Sequence, residues 1–509
     1  MRISLLLFIC TILLVPFADA QTAQQRVRQY RQARETALMD EYRQFLAIPN
    51  VSADSVNIRK NAAFIVQMMR QRGIPAQMLN GPTPGTTPAV FGEVRVPNAK
   101  KTLIFYAHYD GQPVNPKQWA DGLQPFVPVF ITAPIEQGGK IVTTYKSGDA
   151  IDPNWRLTGR GSADDKAGVM TILNAYDALI KSGIKPTVNL KFFFEGEEEV
   201  GSTHLGEIFQ AHRDKLAGDL WIIADGPRHV SGKKVVQFGV RGDVNMHLTV
   251  FGPKRPLHSG NYGNWAPNPA LNLVRLLASM KDDNDRVLVK GYYDDVVPLT
   301  ASEKQAMAAV PNVEAALKQE LGIAQPDGQG ASFLELLMRP TLNINGIQSA
   351  NVGAMAGNII PTKAEAVLDL RLVRGNDVAR QIQRVTDHIR AQGYHVLDRD
   401  PTDAERQQHA KLIKIKAESG YNAQRTPMDL PIAQDVIEAV QTTGPESVVL
   451  LPSAGGSLPL YLFEKVLNAN VVSVPVVNYD NNQHAENENM KVQYLWEGIE
   501  IMAAIMLIH

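Results

Sequence analysis

Apolar positions recur along this chain with two different periods, and the change from one to the other marks its organisation. Over residues 24–47, Ala37, Leu38, Tyr42, Phe45 and Leu46 fall at helical spacing, and Pro49-Asn50 closes the run, which predicts a helix. A second helix is expected over 61–72, ended by Gly73, and a third over 166–181, ended by Gly183. Residues 102–107, 188–194 and 219–224 are short apolar runs that read as buried strands. Strand and helix in alternation predict an α/β domain with a mostly parallel sheet. Beyond Val240 the texture changes. Val244, Met246, Leu248 and Val250 alternate with Asn245, His247 and Thr249, and 364–373 alternates likewise, as expected of antiparallel strands with one solvated face. With a helix over 377–392, this predicts a separate α+β domain spanning 241–423. A helix over 429–443 and a strand over 471–477 then return to the first pattern. The expected layout is therefore an α/β domain from 21–240 and 424–509, interrupted by an inserted α+β domain.

The first twenty residues stand apart. Arg2 precedes an almost unbroken apolar run from Ile3 to Phe17, and Ala18-Asp19-Ala20 supplies the small-x-small pattern of a cleavage site. The run falls short of the roughly 20 residues needed to span a bilayer. A cleaved signal peptide (1–20) and a periplasmic or secreted protein are expected, with no membrane association after cleavage. Cys10, in Ile9-Cys10, is the sole cysteine of the chain, so the mature protein would have neither disulfides nor thiolate ligands. A net charge of −1 with no Lys/Arg run leaves nothing to neutralise nucleic-acid phosphates. No nucleic-acid partner is expected.

Acid and imidazole side chains sit where these strands end. His108 closes Phe105-Tyr-Ala-His-Tyr-Asp110, Asp225 closes Trp221-Ile-Ile-Ala-Asp225, and Glu199 lies in Phe194-Glu-Gly-Glu-Glu-Glu-Val-Gly-Ser202. Asp164 lies in Gly159-Arg-Gly-Ser-Ala-Asp-Asp-Lys166, and His484 in Asn482-Gln-His-Ala-Glu486. Open α/β sheets place ligands at the carboxyl ends of their strands. Two imidazoles and three carboxylates suit a pair of divalent ions, Asp164 being suited to bridge them. Four glutamates within Glu195–Glu199 repel one another unless cations or a helix N-terminus compensate, and metal binding accounts for the cluster economically. Glu198 beside Glu199 could then act as general base, Asp110 could orient the His108 ring, and Asp165 could cap the helix that follows. Arg371 could clamp a carboxylate in bidentate fashion, and Gly455-Gly456-Ser457 could offer backbone amides to an anion.

In combination these segments resemble the M20 family of metallopeptidases, and within it the carnosine dipeptidase-like branch. The resemblance also takes in His258-Ser-Gly260 and Asn358-Ile-Ile-Pro361, and runs over nearly the whole mature chain. It implies a di-zinc catalytic domain with an inserted lid that makes a homodimer; manganese or cobalt would suit the same donors. His108 and Asp225 would hold one ion, Glu199 and His484 the other, with Asp164 between them. A water bridging the metals would attack the peptide carbonyl, with Glu198 as base. His258 and Asn358 would reach into the partner's active site and contact the scissile group. Arg371, Gly456 and Ser457 would receive a substrate carboxylate. The Asp at position 225 points to peptides with a free amino terminus; an N-acyl-amino-acid deacylase or carboxypeptidase on the same scaffold is the alternative, and a non-catalytic metal-binding protein a remoter one. The stretch from 126 to 154 lengthens the interval between His108 and Asp164 and is expected to form a β-hairpin at the mouth of the site.

Overall fold

The computed structural model describes residues 22–328 and 330–509, so the expected signal peptide and Cys10 lie outside the described residues. The apolar runs form an eight-stranded sheet in the order Ala76–Leu79, Ala89–Val94, Asn189–Glu195, Thr102–His108, Leu220–Ile223, Val471–Ser473, Val235–Gln237, Val449–Leu451. The three runs read as buried strands sit side by side and parallel, followed by Val471–Ser473 in the same sense. Lys191 apart, they are mainly apolar because helices cover both faces. Lys166–Lys181 and the C-terminal helix Val492–Ile505 pack against each other on one face, and Leu205–Ala211 and Tyr461–Leu467 on the other. The sheet's first two strands are antiparallel, an edge the apolar pattern did not disclose.

The predicted helix over 24–47 is two helices, Ala23–Gln32 and Glu35–Leu46. They answer to different partners. Arg28 and Arg31 of the first both pair with the buried Glu500, whereas the second buries Leu38, Met39, Tyr42 and Phe45 in the main core. The helix expected at 61 begins earlier, at Ser55, because Asp54 accepts the Asn57 amide as an N-cap.

The alternating segments build a second, five-stranded sheet. Gly242–Phe251 lies between Lys363–Leu372 and Leu412–Ala417, antiparallel to both, with Thr341–Gln348 and His395–Leu397 outside them. Val244, Met246, Leu248 and Val250 are buried under Pro269–Ala278 and Val378–Ala391, while His247 on the open face pairs with Glu418 at 2.6 Å. Not all of 241–423 packs on this sheet. The helix Ala301–Ala309 lies against Val449–Leu451, the edge of the eight-stranded sheet, and Val310 and Leu334 complete a small core with Val235, Val449 and Leu451.

The stretch from 126 to 154 does fold back on itself, through Thr132 N to Lys140 O at 2.9 Å and Val142 N to Phe130 O at 2.8 Å. The expected hairpin is nonetheless rudimentary. The main partner of Phe130–Ile131 is Arg156–Thr158, which in turn pairs with Asn489–Lys491 just beyond His484. Pro134 starts a 3-10 turn, Ile135–Gln137, and takes the place of a regular two-residue hairpin loop. Among the described residues, no helix is long and apolar enough to cross a membrane.

Candidate metal centre and active site

Three of the five proposed ligands come off the parallel strands. His108 is the last residue of Thr102–His108, Asp225 follows Leu220–Ile223, and Glu199 lies in the 3-10 turn Glu198–Val200 after Asn189–Glu195. Asp164 and His484 come instead from loops, and they close over the strand ends. Asp164 lies between the two imidazoles: His108 Nε2 is 2.9 Å from its Oδ1, and His484 Nε2 is 3.0 Å from its Oδ2. His108, Asp164 and Asp225 make one potential cation site, and Asp164, Glu199 and His484 a second that shares Asp164. His108 Nε2 is 3.8 Å from both Glu198 and Asp225, and His484 Nε2 is 3.1 Å from Glu199.

The supporting residues explain why these groups converge. Asp110, wholly buried, lies 3.3 Å from His108 Nδ1, within reach to orient the ring. It does more than the sequence suggested: its two oxygens accept the backbone amides of Glu198 and Glu199, each at 3.1 Å, and Ser52 Oγ donates to it at 2.8 Å. One carboxylate thus sets the imidazole and the acidic turn in register. Asp165 caps the following helix by accepting from Gly168 N and also takes the His108 amide.

Two carboxylates that sequence reasoning did not single out hold the loops. Glu488 pairs with Arg160 at 2.7 Å and accepts the backbone amides of Gly161, Ala163 and Asp164 at 2.8–3.0 Å. Arg160 also donates to Ala485 O at 3.0 Å, which ties the Asp164 loop to the His484 loop. Gly161 makes this path possible. Its φ is +80°, and a Cβ there would come within 2.8 Å of Asn50 Nδ2. Glu136, in the added stretch, accepts from Asn482 and Asn487 at 3.0 Å each and so brackets His484 from outside. Glu486, two residues after His484, is exposed, and the buried acid is two residues further on; hydropathy does not separate the two.

The donor set fits divalent cations. Glu199 Oε1 is buried and accepts no hydrogen bond among the described residues. Burial pushes the Asp225 carboxyl up to about 7, with Asp164 and Glu199 adding to the rise against the pull of His108. Burial likewise pushes the Glu198 carboxyl well above the usual range, again against His108. Asp164, which burial alone would raise, is held below that range by the two imidazoles. Positive charge at this cluster relieves the mutual repulsion of the acids. Stripping divalent cations with a chelator is therefore expected to lower the unfolding midpoint. The loss should reach about 3 kcal/mol where free cation had stood near 100 Kd, and returning the ion should restore it. An unmoved midpoint in urea titration would count against a cation site.

The remaining predicted site residues fall into two groups. Gly456 and Ser457 line the same cavity as Asp164, Glu198, Asp225 and His484, and Arg371 Nη1 reaches Ser457 Oγ at 2.8 Å from the second sheet. Arg371 Nε donates to Asp369, so its fork is only half free. His258 and Asn358 are not brought to this cavity. They stand together and exposed on the second domain, where Ser259 N donates to Asn358 O at 2.9 Å and His258 pairs with Ile359.

The family model for Peptidase family M20/M25/M40 matches residues 104–508. The chain belongs to that family. It is therefore a metal-dependent hydrolase with the M20 fold. It is 27% identical over 473 residues to the Cys-Gly metallodipeptidase of Schizosaccharomyces pombe, covering 90% of this chain and 92% of that protein. Against the human Beta-Ala-His dipeptidase it is 27% identical over 448 residues, covering 85% and 80%. Among solved structures, an M20 family metallo-carboxypeptidase of Sulfolobus solfataricus superposes with a TM-score of 0.73 at 26% identity, covering 92% of this chain and 98% of that one.

Proposed function

We propose that the protein hydrolyses the peptide bond of dipeptides with a free amino terminus, using two divalent cations, zinc first among them. The observation that carries this reading is the pair of potential cation sites sharing Asp164, with Glu198 in the same cavity and 3.8 Å from His108. His108 and Asp225 would hold one cation and Glu199 and His484 the other. When bound, the cations supply Lewis acidity toward a carbonyl oxygen and toward water. The chain's own residues do the rest. Glu198, held by its backbone amide to Asp110, takes a proton from the attacking water and returns it to the departing amine. Ser457 and the Gly456 backbone, with Arg371 behind them, receive the substrate carboxylate. His258 and Asn358, exposed and remote from their own cavity, would serve the scissile group of a second copy. The lid presents exposed Ile347, Val352 and Met355 for such a homodimer, and sedimentation at micromolar concentration tests it. Export with cleavage after Ala20 belongs to the same reading, and an intact mass starting at Gln21 would support it.

The metallo-carboxypeptidase likeness keeps a second reading in play, removal of a residue or acyl group from a blocked substrate. A panel of free-amine dipeptides and N-acyl-amino acids decides between them. Turnover of the dipeptides supports the proposal, turnover of blocked substrates alone moves the protein to the second reading, and metal binding without any turnover would favour a binding role.

A further inference from the structure

The metal cluster does not open on a small cleft. Asp164, Glu198, Asp225 and His484 line a cavity of about 1220 Å³, above the roughly 300–1,000 Å³ of an ordinary small-molecule site. One wall of it comes from the helical stretch that packs on the sheet edge: Met307, Val310, Leu317, Phe333, Leu334 and Leu337 all line it. The acids of that stretch are otherwise engaged. Glu335 caps the helix that starts after Ser332, and Glu314 accepts the Phe333 amide at 2.9 Å. The wall abuts the glycine loop proposed to hold the substrate carboxylate: a Cβ on Gly455 would lie 3.4 Å from Leu337 Cδ2.

We infer that this wall is the pocket for the side chain of the substrate's carboxyl-terminal residue, and that it selects a large aliphatic or aromatic one. The inference rests on the dipeptidase reading and adds a substrate class to it. A carboxylate held at Gly456 and Ser457 sits next to Gly455, where a Cβ would lie 3.4 Å from Leu337 Cδ2, so the side chain it carries is within reach of the apolar wall. Glycine, the carboxyl-terminal residue of the Cys-Gly named for one relative, would leave that wall uncovered. Burial of a Leu or Phe side chain there corresponds to roughly 10- to 100-fold in kcat/KM over Gly.

The test compares Ala-Gly, Ala-Leu, Ala-Phe and Leu-Ala on the metal-loaded full chain, and repeats Ala-Leu and Ala-Gly on Phe333→Ser and Leu337→Ala. The expected result is Ala-Leu and Ala-Phe ahead of Ala-Gly by at least 10-fold, with Leu-Ala below Ala-Leu. In both variants the Ala-Leu to Ala-Gly ratio should fall toward one. A ratio within one preparation does not depend on how much of a variant has folded. Ala-Gly turned over as well as Ala-Leu overturns the inference and leaves the dipeptidase reading intact. A preference that survives both variants overturns the assignment to this wall. Absence of turnover on all four dipeptides overturns the dipeptidase reading, and the inference with it.

Discussion

Replacing Glu198 by Gln is expected to cut kcat by about 10²–10⁴-fold while leaving metal content and fold unchanged. The amide is isosteric, and among the described residues the side chain has no hydrogen bond of its own to lose; His108 Nε2 lies 3.8 Å away. What holds residue 198 in place is its backbone amide on Asp110, and the substitution leaves that bond untouched. The group lost is the one that accepts a proton during attack. Glu199→Gln should behave differently although it is the next residue, because Glu199 sits 3.1 Å from His484 and shares the second cation site. There metal content should fall together with rate. Steady-state kinetics paired with metal analysis on both variants reads the difference. A Glu198→Gln protein with kcat within tenfold of the parent, or one that has lost its metal, would remove Glu198 from the role of base.

The contrast between these neighbours shows how much of the site the sequence carried. Strand ends are written in hydropathy: a run such as 102–107 must be buried, its end must emerge at the sheet's carboxyl edge, and His108 and Asp225 follow. The acidic turn was legible because four carboxylates in five residues need compensation, although Tyr106 supplies it for Glu195 and His204 for Glu197, leaving Glu199 in the potential cation site. Roles set by long-range backbone contacts were not legible. Nothing near Asp110 says that it receives amides from residues 198 and 199, since that pairing exists only once two parallel strands lie in register, His108 opposite Glu195. Glu136 and Glu488 are silent for the same reason. The stretch around Ala301–Ala309 follows a strand pattern belonging to the second sheet, yet its buried Ala306 joins the main core. Helical periodicity shows which face is buried but not which domain buries it. The break near Ala33 escaped notice because no Gly or Pro marks it and both helices are amphipathic with the same period.

Glu488 is where these unseen contacts are most concentrated, and its removal should have the largest effect on stability. Its side chain is 0% exposed and that of Arg160 is 3% exposed. Glu488→Leu fills the volume but leaves a buried guanidinium without its counter-charge, and three backbone amides without an acceptor. Breaking a buried pair from one side costs about 3–5 kcal/mol, and each stranded amide adds to that unless water reaches it. The unfolding midpoint in urea should drop accordingly. Glu488→Gln should lose less, because one amide oxygen can still serve Ala163 and Asp164, which share Oε1. Its NH2 group, however, would face the Gly161 amide and Arg160, donor against donor. Since those amides belong to the loop that carries Asp164, the Gln variant should also bind divalent cations about 10- to 100-fold more weakly, as expected when a ligand's supporting group is removed. Adding Arg160→Leu to Glu488→Leu separates the two costs. It removes the stranded charge and not the stranded amides, so stability should recover in part while cation affinity stays low. Full recovery of both would mean that the ion pair alone matters and that the three amides do not position Asp164. No loss of either in Glu488→Gln would mean that the loop holds its shape without this carboxylate.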